Sequence, residues 1–308
     1  MLKINLKYFI FIMVISSSLA CSPKLKRISY ISEVDNLERD FYLYLPEGYD
    51  DKTDKEWPVI MFLHGNGERG NGKEDLDYVM IHGPLSEAWV QDRNLPFIMI
   101  VPQLHMFGLD TLEVASFAGR SLDNIPKRLE NNTPPRRAES RPNFKMEGAI
   151  PTSEMPDDPI FLEYGWNNVE NDLLGMLDKV LDEYNADKNR VYLSGLSYGG
   201  FGTWYLASKH SERFAAINPI VGWLHPSLVA PLAEVNMPIW AFAGGRDKVI
   251  ETQFFFEGMN KLEELGNTKS RFTIHEDMGH DTWKRVYAGE DIYNWFLQHS
   301  LNNNSEVE

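Results

Sequence analysis

The chain has 308 residues, 43% hydrophobic and 24% charged, the proportions of an ordinary globular protein long enough for one large domain. A formal net charge of −15 argues against any role that depends on neutralising a phosphate backbone, so nucleic acid is not an expected partner. Cys21 is the single cysteine, which leaves no intramolecular disulfide and makes the packed core responsible for stability.

Residues 1–20 read as a targeting segment. Lys3 and Lys7 supply a basic start, residues 8–15 form an apolar run too short to remain as a spanning helix, and Ser18, Leu19 and Ala20 lead with mostly small residues into Cys21. The segment resembles a lipobox, with Ser18 where leucine is usual. It predicts a signal peptide cut before Cys21, whose thiol takes the lipid, and hence an exported protein anchored in the bacterial envelope. Ser22 after the cysteine predicts the outer membrane. Residues 21–28 are then a tether, 29–300 one domain, and 301–308 a polar, frayed tail.

Residues 39–46 alternate like a half-exposed antiparallel strand and stop at Pro46-Glu47-Gly48. Residues 59–63 and 97–101 are continuous apolar runs, the signature of strands buried on both faces of a parallel sheet. Residues 191–193, 216–221 and 239–242 continue the series, and 271–275 alternates. Between them lie helical patterns. From Val169, apolar residues recur at Leu173, Leu174, Met176, Leu177, Val180, Leu181 and Tyr184, with Asn168 as the expected N-cap. Residues 252–265 repeat the pattern and stop at Gly266, and 283–297 is a third, less regular case. This alternation predicts an α/β fold with a mostly parallel central sheet and helices on both faces. Residues 104–165 break the rhythm with prolines at 126, 134, 135, 142, 151, 156 and 159, and read as a lid-like insertion over the edge of the sheet that carries the site.

Gly195-Leu196-Ser197-Tyr198-Gly199-Gly200 lies between a predicted strand and a predicted helix, the setting in which a sharp glycine-lined turn holds a serine hydroxyl above a sheet. A serine hydroxyl needs a base, and His280, in a loop after Gly279, is the best-placed histidine. His210, His275 and His299 fall within helix or strand patterns. The acid that orients the base is expected between them in sequence. Asp247, after the strand at 239–242 and the turn Gly244-Gly245-Arg246, fits, with Glu251 as the competing carboxylate. His64-Gly65-Asn66-Gly67-Glu68-Arg69-Gly70 follows the strand at 59–63 and can bring a second oxyanion donor, the backbone amide of Asn66, beside that of Tyr198. His64 is expected to brace this turn. Trp166, Trp283 and Glu68 are expected to line the substrate pocket. No metal-ligand spacing and no cofactor motif is present in the sequence, so none is expected.

These stretches, taken in order with Val101-Pro102-Gln103, the run from Asn189 to Trp204, the strand from Pro238 to Phe242 and the Gly279-to-Trp283 turn, resemble bacterial α/β-hydrolases. The similar group is related to feruloyl esterases and polyhydroxyalkanoate depolymerases and is often labelled predicted peptidase or phospholipase/carboxylesterase-like. The resemblance covers residues 42–297. It implies an α/β-hydrolase fold and a serine carboxylesterase acting through Ser197, Asp247 and His280 on a small-molecule or carbohydrate-linked ester, with a peptidase or a non-catalytic binding lipoprotein as the rival readings. Ala243 departs from the histidine common before the glycine there, and the 104–165 region is longer than usual. Within it, residues 120–145 carry seven basic against three acidic side chains, a net +4, which reads first as a solvated loop; the sharper alternative is that one or more arginines meet an anionic part of the substrate.

Overall fold

The apolar runs become strands because each must bury side chains on both faces. In the structure, a computed structural model describing residues 21–112, 117, 119–129 and 164–304, they assemble into one eight-stranded sheet. The strands are β1 (Lys24–Ile31), β2 (Glu38–Leu45), β3 (Trp57–Leu63), β4 (Ile98–Val101), β5 (Ala186–Leu196), β6 (Ala216–Ile220), β7 (Ile239–Gly244) and β8 (Ser270–His275). Their order is β1-β2-β4-β3-β5-β6-β7-β8. The β1–β2 and β2–β4 pairs are antiparallel and all later pairs parallel.

Alternate residues of one strand serve two cores. Val59, Met61 and Leu63 pack with Leu173, Met176 and Leu177 of α1 (Glu170–Glu183) and Trp204 of α2 (Tyr198–Lys209), joined by Leu232 of α3 (Val229–Glu234) and Leu262 of α4 (Phe255–Glu264). Ile60 and Phe62 point the other way, to Trp283 and Val286 of α5 (Trp283–Ala288) and Ile292 and Phe296 of α6 (Asp291–Phe296). Helices on both faces follow, as the sequence predicts.

Five expectations change. Residues 24–28, read as the end of the tether, are the first part of β1, because Ile28 and Tyr30 pack on the core while Lys24 to Ile31 pair residue for residue with β2. That pairing, with β4 on the other side, buries β2 on both faces from Arg39 onward rather than leaving it half exposed. Asn168 does not cap α1. It sits in a 3-10 turn (Trp166–Val169), its side chain donates to the Gly165 carbonyl at 3.2 Å, and Val169 is the capping position. The pattern at 283–297 is two helices, since Gly289 adopts an extended conformation between α5 and α6. The tail begins with a helical turn, α7 (Leu301–Asn304). Residues 1–20 and 130–163, with the targeting segment and most of the insertion, lie outside the described residues, and Cys21 is exposed where they begin.

Candidate active site

β3, β5, β7 and β8 are parallel, so the turns after them emerge at one edge of the sheet. Ligand sites of open α/β sheets form at that edge. The turn after β5 is the sharpest. Ser197 has φ 53° and ψ −117°, a conformation costly for a side-chain-bearing residue, and α2 starts at the next residue. Glycine is obligatory around it. A Cβ on Gly199 would lie 1.8 Å from the Leu63 carbonyl oxygen, and one on Gly195 would lie 2.2 Å from the Gly199 oxygen. The first turn of α2 is thereby pressed onto the end of β3, and the serine is pushed up and outward.

The three residues singled out for catalysis meet. His280 Nε2 is 3.0 Å from Ser197 Oγ, and His280 Nδ1 is 2.8 Å from Asp247 Oδ2. A carboxylate facing Nδ1 fixes the proton there, leaving Nε2 to accept from the serine. Asp247 is itself held, because its Oδ1 accepts from the amides of Val249 at 2.8 Å and Ile250 at 2.9 Å, and its side chain is fully buried. Glu251 is exposed and accepts from Gln253 Nε2 at 2.7 Å, so Asp247 is the carboxylate that faces the imidazole.

Tyr198 is the first residue of α2, so its amide is one of the first-turn donors that a helix leaves without an intrahelical acceptor. Asn66 opens a 3-10 turn (Asn66–Glu68) after β3, and a Cβ built on its neighbour Gly65 would be 3.6 Å from Ser197 Cβ. Both expected oxyanion residues therefore flank the serine. Arg69, fully buried, ties them together. It donates to Asn66 Oδ1 and to the His105 and Tyr164 carbonyls, and its guanidinium lies 4.8 Å from the Tyr198 ring centroid. His64 braces the turn as expected: Nδ1 donates to the Gly65 carbonyl at 2.6 Å, and Nε2 accepts from the Leu104 amide at 2.9 Å. Burial pushes its pKa down to about 3, so it stays neutral.

A cavity of about 560 Å³ opens on Ser197 and His280. Glu68 and Trp283 line it as expected. Trp166 does not: it is 2% exposed, its indole N–H donates to the His64 carbonyl at 3.2 Å, and its ring packs against His64 and Gly202. It is a core brace, because the 3-10 turn before α1 turns it under the sheet edge. Sequence reasoning missed Phe201, Trp223, Phe254, Val249, Ile250 and His82, which also line the cavity. Phe201 was legible as the residue one turn after Ser197; the others carry no local signal. Phe201 and Phe254 both pack on Trp223, with ring centroids 4.5 and 5.3 Å away. Two of the arginines expected to meet an anionic substrate are engaged within the protein. Arg120 donates to the Arg69 carbonyl at 2.7 Å and stacks over Tyr78, while Arg128 pairs with Asp92 at 3.1 Å and covers Trp89. Arg136, Arg137 and Arg141 lie outside the described residues.

Glu68 is 5% exposed, and burial raises its carboxyl to about 7. His64 and His82 approach it at 3.9 and 3.8 Å, but both are pushed down, to about 3 and about 4, so neither forms an ion pair with it near neutrality. A carboxyl raised on folding contributes stability below its unfolded pKa and loses it as pH rises through its folded value. Glu68→Gln is therefore expected to gain on the wild type between pH 4 and pH 8 by on the order of 3 kcal/mol. Urea unfolding at the two pH values checks this; an unchanged gap between the proteins would refute it.

Residues 162–226, the stretch that contains α1, β5, Ser197 and α2, match the prolyl oligopeptidase family model. A 79-residue stretch is 37% identical to the bifunctional acetylxylan esterase/xylanase of Neocallimastix patriciarum; it is 25% of this chain and only 11% of that protein. The backbone is similar to that of a thermostable esterase, with a TM-score of 0.58 and 23% identity over 90% of this chain and 63% of the other. It is also similar to the S-formylglutathione hydrolase of Staphylococcus aureus, with a TM-score of 0.54 and 14% identity over 90% of this chain and 97% of the other. The sheet order, the helices on both faces and these likenesses together establish that the chain has the α/β-hydrolase fold.

Proposed function

We propose that the chain is a serine hydrolase that cleaves carboxylic esters through an acyl-enzyme. The Ser197–His280–Asp247 hydrogen-bonded series, 3.0 and 2.8 Å long, carries this reading. Ser197 Oγ attacks the ester carbonyl as its proton passes to His280 Nε2. The imidazolium so formed is stabilised by the buried Asp247 carboxylate. Charge on the carbonyl oxygen is held by the amides of Tyr198 and Asn66, in a turn that Arg69 keeps rigid. His280 then gives the proton to the leaving alcohol, takes one from water, and the resulting attack frees the acid and restores Ser197.

The apolar wall of Phe201, Trp223, Phe254 and Ile250 offers an acyl group a face of rings, which supports an aryl or arylalkenyl carboxylate. A peptidase is the second reading, favoured by the family match over residues 162–226. The decisive measurement pairs a fluorophosphonate probe with 4-nitrophenyl cinnamate and a cinnamoyl 4-nitroanilide. Labelling at Ser197 and kcat/KM for the ester about 10³ or more above the anilide are expected. Comparable turnover of the anilide would move the reading to peptidase, and neither labelling nor turnover would end it.

A further inference from the structure

Arg69 is fully buried where the turn after β3 meets the first turn of α2. Among the described residues, the acceptors it meets are uncharged: Asn66 Oδ1 through Nε, and the His105 and Tyr164 carbonyls through Nη1 at 2.9 and 2.7 Å. Its guanidinium lies over the Tyr198 ring, 4.8 Å from the centroid. A buried cation is ordinarily matched by a carboxylate, because its desolvation is otherwise poorly offset. Glu68, the residue before it, does not fill that place: the cation that bears on the Glu68 carboxyl is Arg120. Burial lowers the pKa of Arg69 to about 10, which still leaves it charged at neutral pH. The kind of partner decides what reaches the site. A carboxylate at hydrogen-bond distance would cancel most of the guanidinium's field beyond the pair, whereas neutral carbonyl dipoles satisfy the N–H groups and leave the positive charge whole. In a buried, low-dielectric setting such a charge acts over several ångströms.

We propose that Arg69 is a positioning residue that acts by charge: its guanidinium, unpaired with any described carboxylate and in contact with the side chains of both Asn66 and Tyr198, stabilises the negative charge that develops on the carbonyl oxygen. The assignment rests on the serine-esterase reading, since it is attack by Ser197 that creates an oxyanion beside those two amides. Arg69 does not line the cavity, so it acts through the turn and through its field rather than by touching substrate. This goes beyond bracing, and the two roles need different things of the side chain. Bracing needs the fork of N–H groups that joins Asn66 to the His105 and Tyr164 carbonyls. Stabilising the oxyanion needs the positive charge, fixed in place before the reaction begins. The cost of burying that charge without a counter-ion falls on the fold, and its return is a lower barrier at Ser197.

The test compares Arg69→Lys, which keeps the charge and loses the fork, with Arg69→Gln and Arg69→Met, which lose the charge. With 4-nitrophenyl cinnamate, each neutral variant is expected to lose about 10²-fold in kcat with KM within about twofold of the wild type, and Arg69→Lys only about fivefold in kcat. Inhibition by trans-2-phenylvinylboronic acid reads the charge directly. Ser197 Oγ adds to boron as its proton passes to His280, which leaves a tetrahedral anion where the oxyanion develops. Its inhibition constant should rise about 10²-fold in the neutral variants, while that of uncharged cinnamamide stays within about twofold. Near-ultraviolet circular dichroism establishes that each variant is folded. Should the neutral variants fail to fold, Arg69→Lys still decides: a loss of about fivefold supports the charge, and one of about 10²-fold in a folded protein overturns it. Equal losses in the Lys and Gln variants, or boronate and cinnamamide affinities that fall together, would also overturn the proposal while the phosphonate-reactive Ser197 stands. A wild type that takes no fluorophosphonate and cleaves no cinnamate ester would overturn the esterase reading itself.

Discussion

Ser197→Ala is expected to lower kcat for ester hydrolysis by about 10⁶-fold, the scale seen when a serine hydrolase loses its nucleophile. The variant removes one oxygen whose recorded bond is to His280 Nε2 at 3.0 Å, and with it the atom that would carry the acyl group. What remains, the amides of Tyr198 and Asn66 and the cavity, still binds and polarises an ester, so the residual rate should stay above that of water. Folding should be untouched. Alanine meets the same φ of 53° that serine already tolerates, and the turn is held by the Ser197 amide to the Ile220 carbonyl at 2.9 Å and by the glycines around it. Steady-state turnover with an aryl ester, read beside a thermal unfolding curve, checks both halves. A folded variant that keeps about a tenth of its activity would leave Ser197 without the role proposed for it.

Asp247→Asn should cost about 10⁴-fold in kcat at neutral pH while leaving the fold intact, the scale known for an amide replacing the orienting carboxylate of such a site. The amide has the carboxylate's shape, and its oxygen can still accept from the Val249 and Ile250 amides. Its NH₂ then faces His280 Nδ1, where a donor meets a donor unless the imidazole moves its proton to Nε2. In that tautomer Nε2 has no lone pair for the serine proton. Glu251→Gln should change the rate by no more than about twofold, since that carboxylate is exposed and bonded to Gln253 rather than to the histidine. If the Glu251 variant proved the more damaged of the two, the acid assignment would be reversed.

How far these expectations were open to sequence reading differs from residue to residue. The inner strands were legible because burial on both faces leaves an unbroken apolar run, as in β3 and β4. The turn at Ser197 was legible because its constraint is local: a tight strand-to-helix reversal needs small residues within two or three positions, and Gly195, Gly199 and Gly200 supply them. Asp247 and His280 followed from chain order and from their places after β7 and β8. β1 was missed because its own residues alternate charged and apolar like a solvated tether, and its order comes from pairing with β2. Trp166 was misplaced because nothing in its neighbours tells whether a tryptophan before a helix turns toward the cavity or beneath it.

By itself, the sequence determined the inner strands, the helices α1 and α4, and which serine, aspartate and histidine stand after those strands, since periodicity, glycine and turn chemistry act between neighbours along the chain. The tertiary structure alone decided that Trp166 turns away from the cavity and that His82, Trp223, Val249, Ile250 and Phe254 converge on it. Those residues lie on separate elements. Their meeting depends on the order in which the strands pair and on the face from which each turn leaves the sheet, which are properties of long-range packing and leave no mark on local sequence.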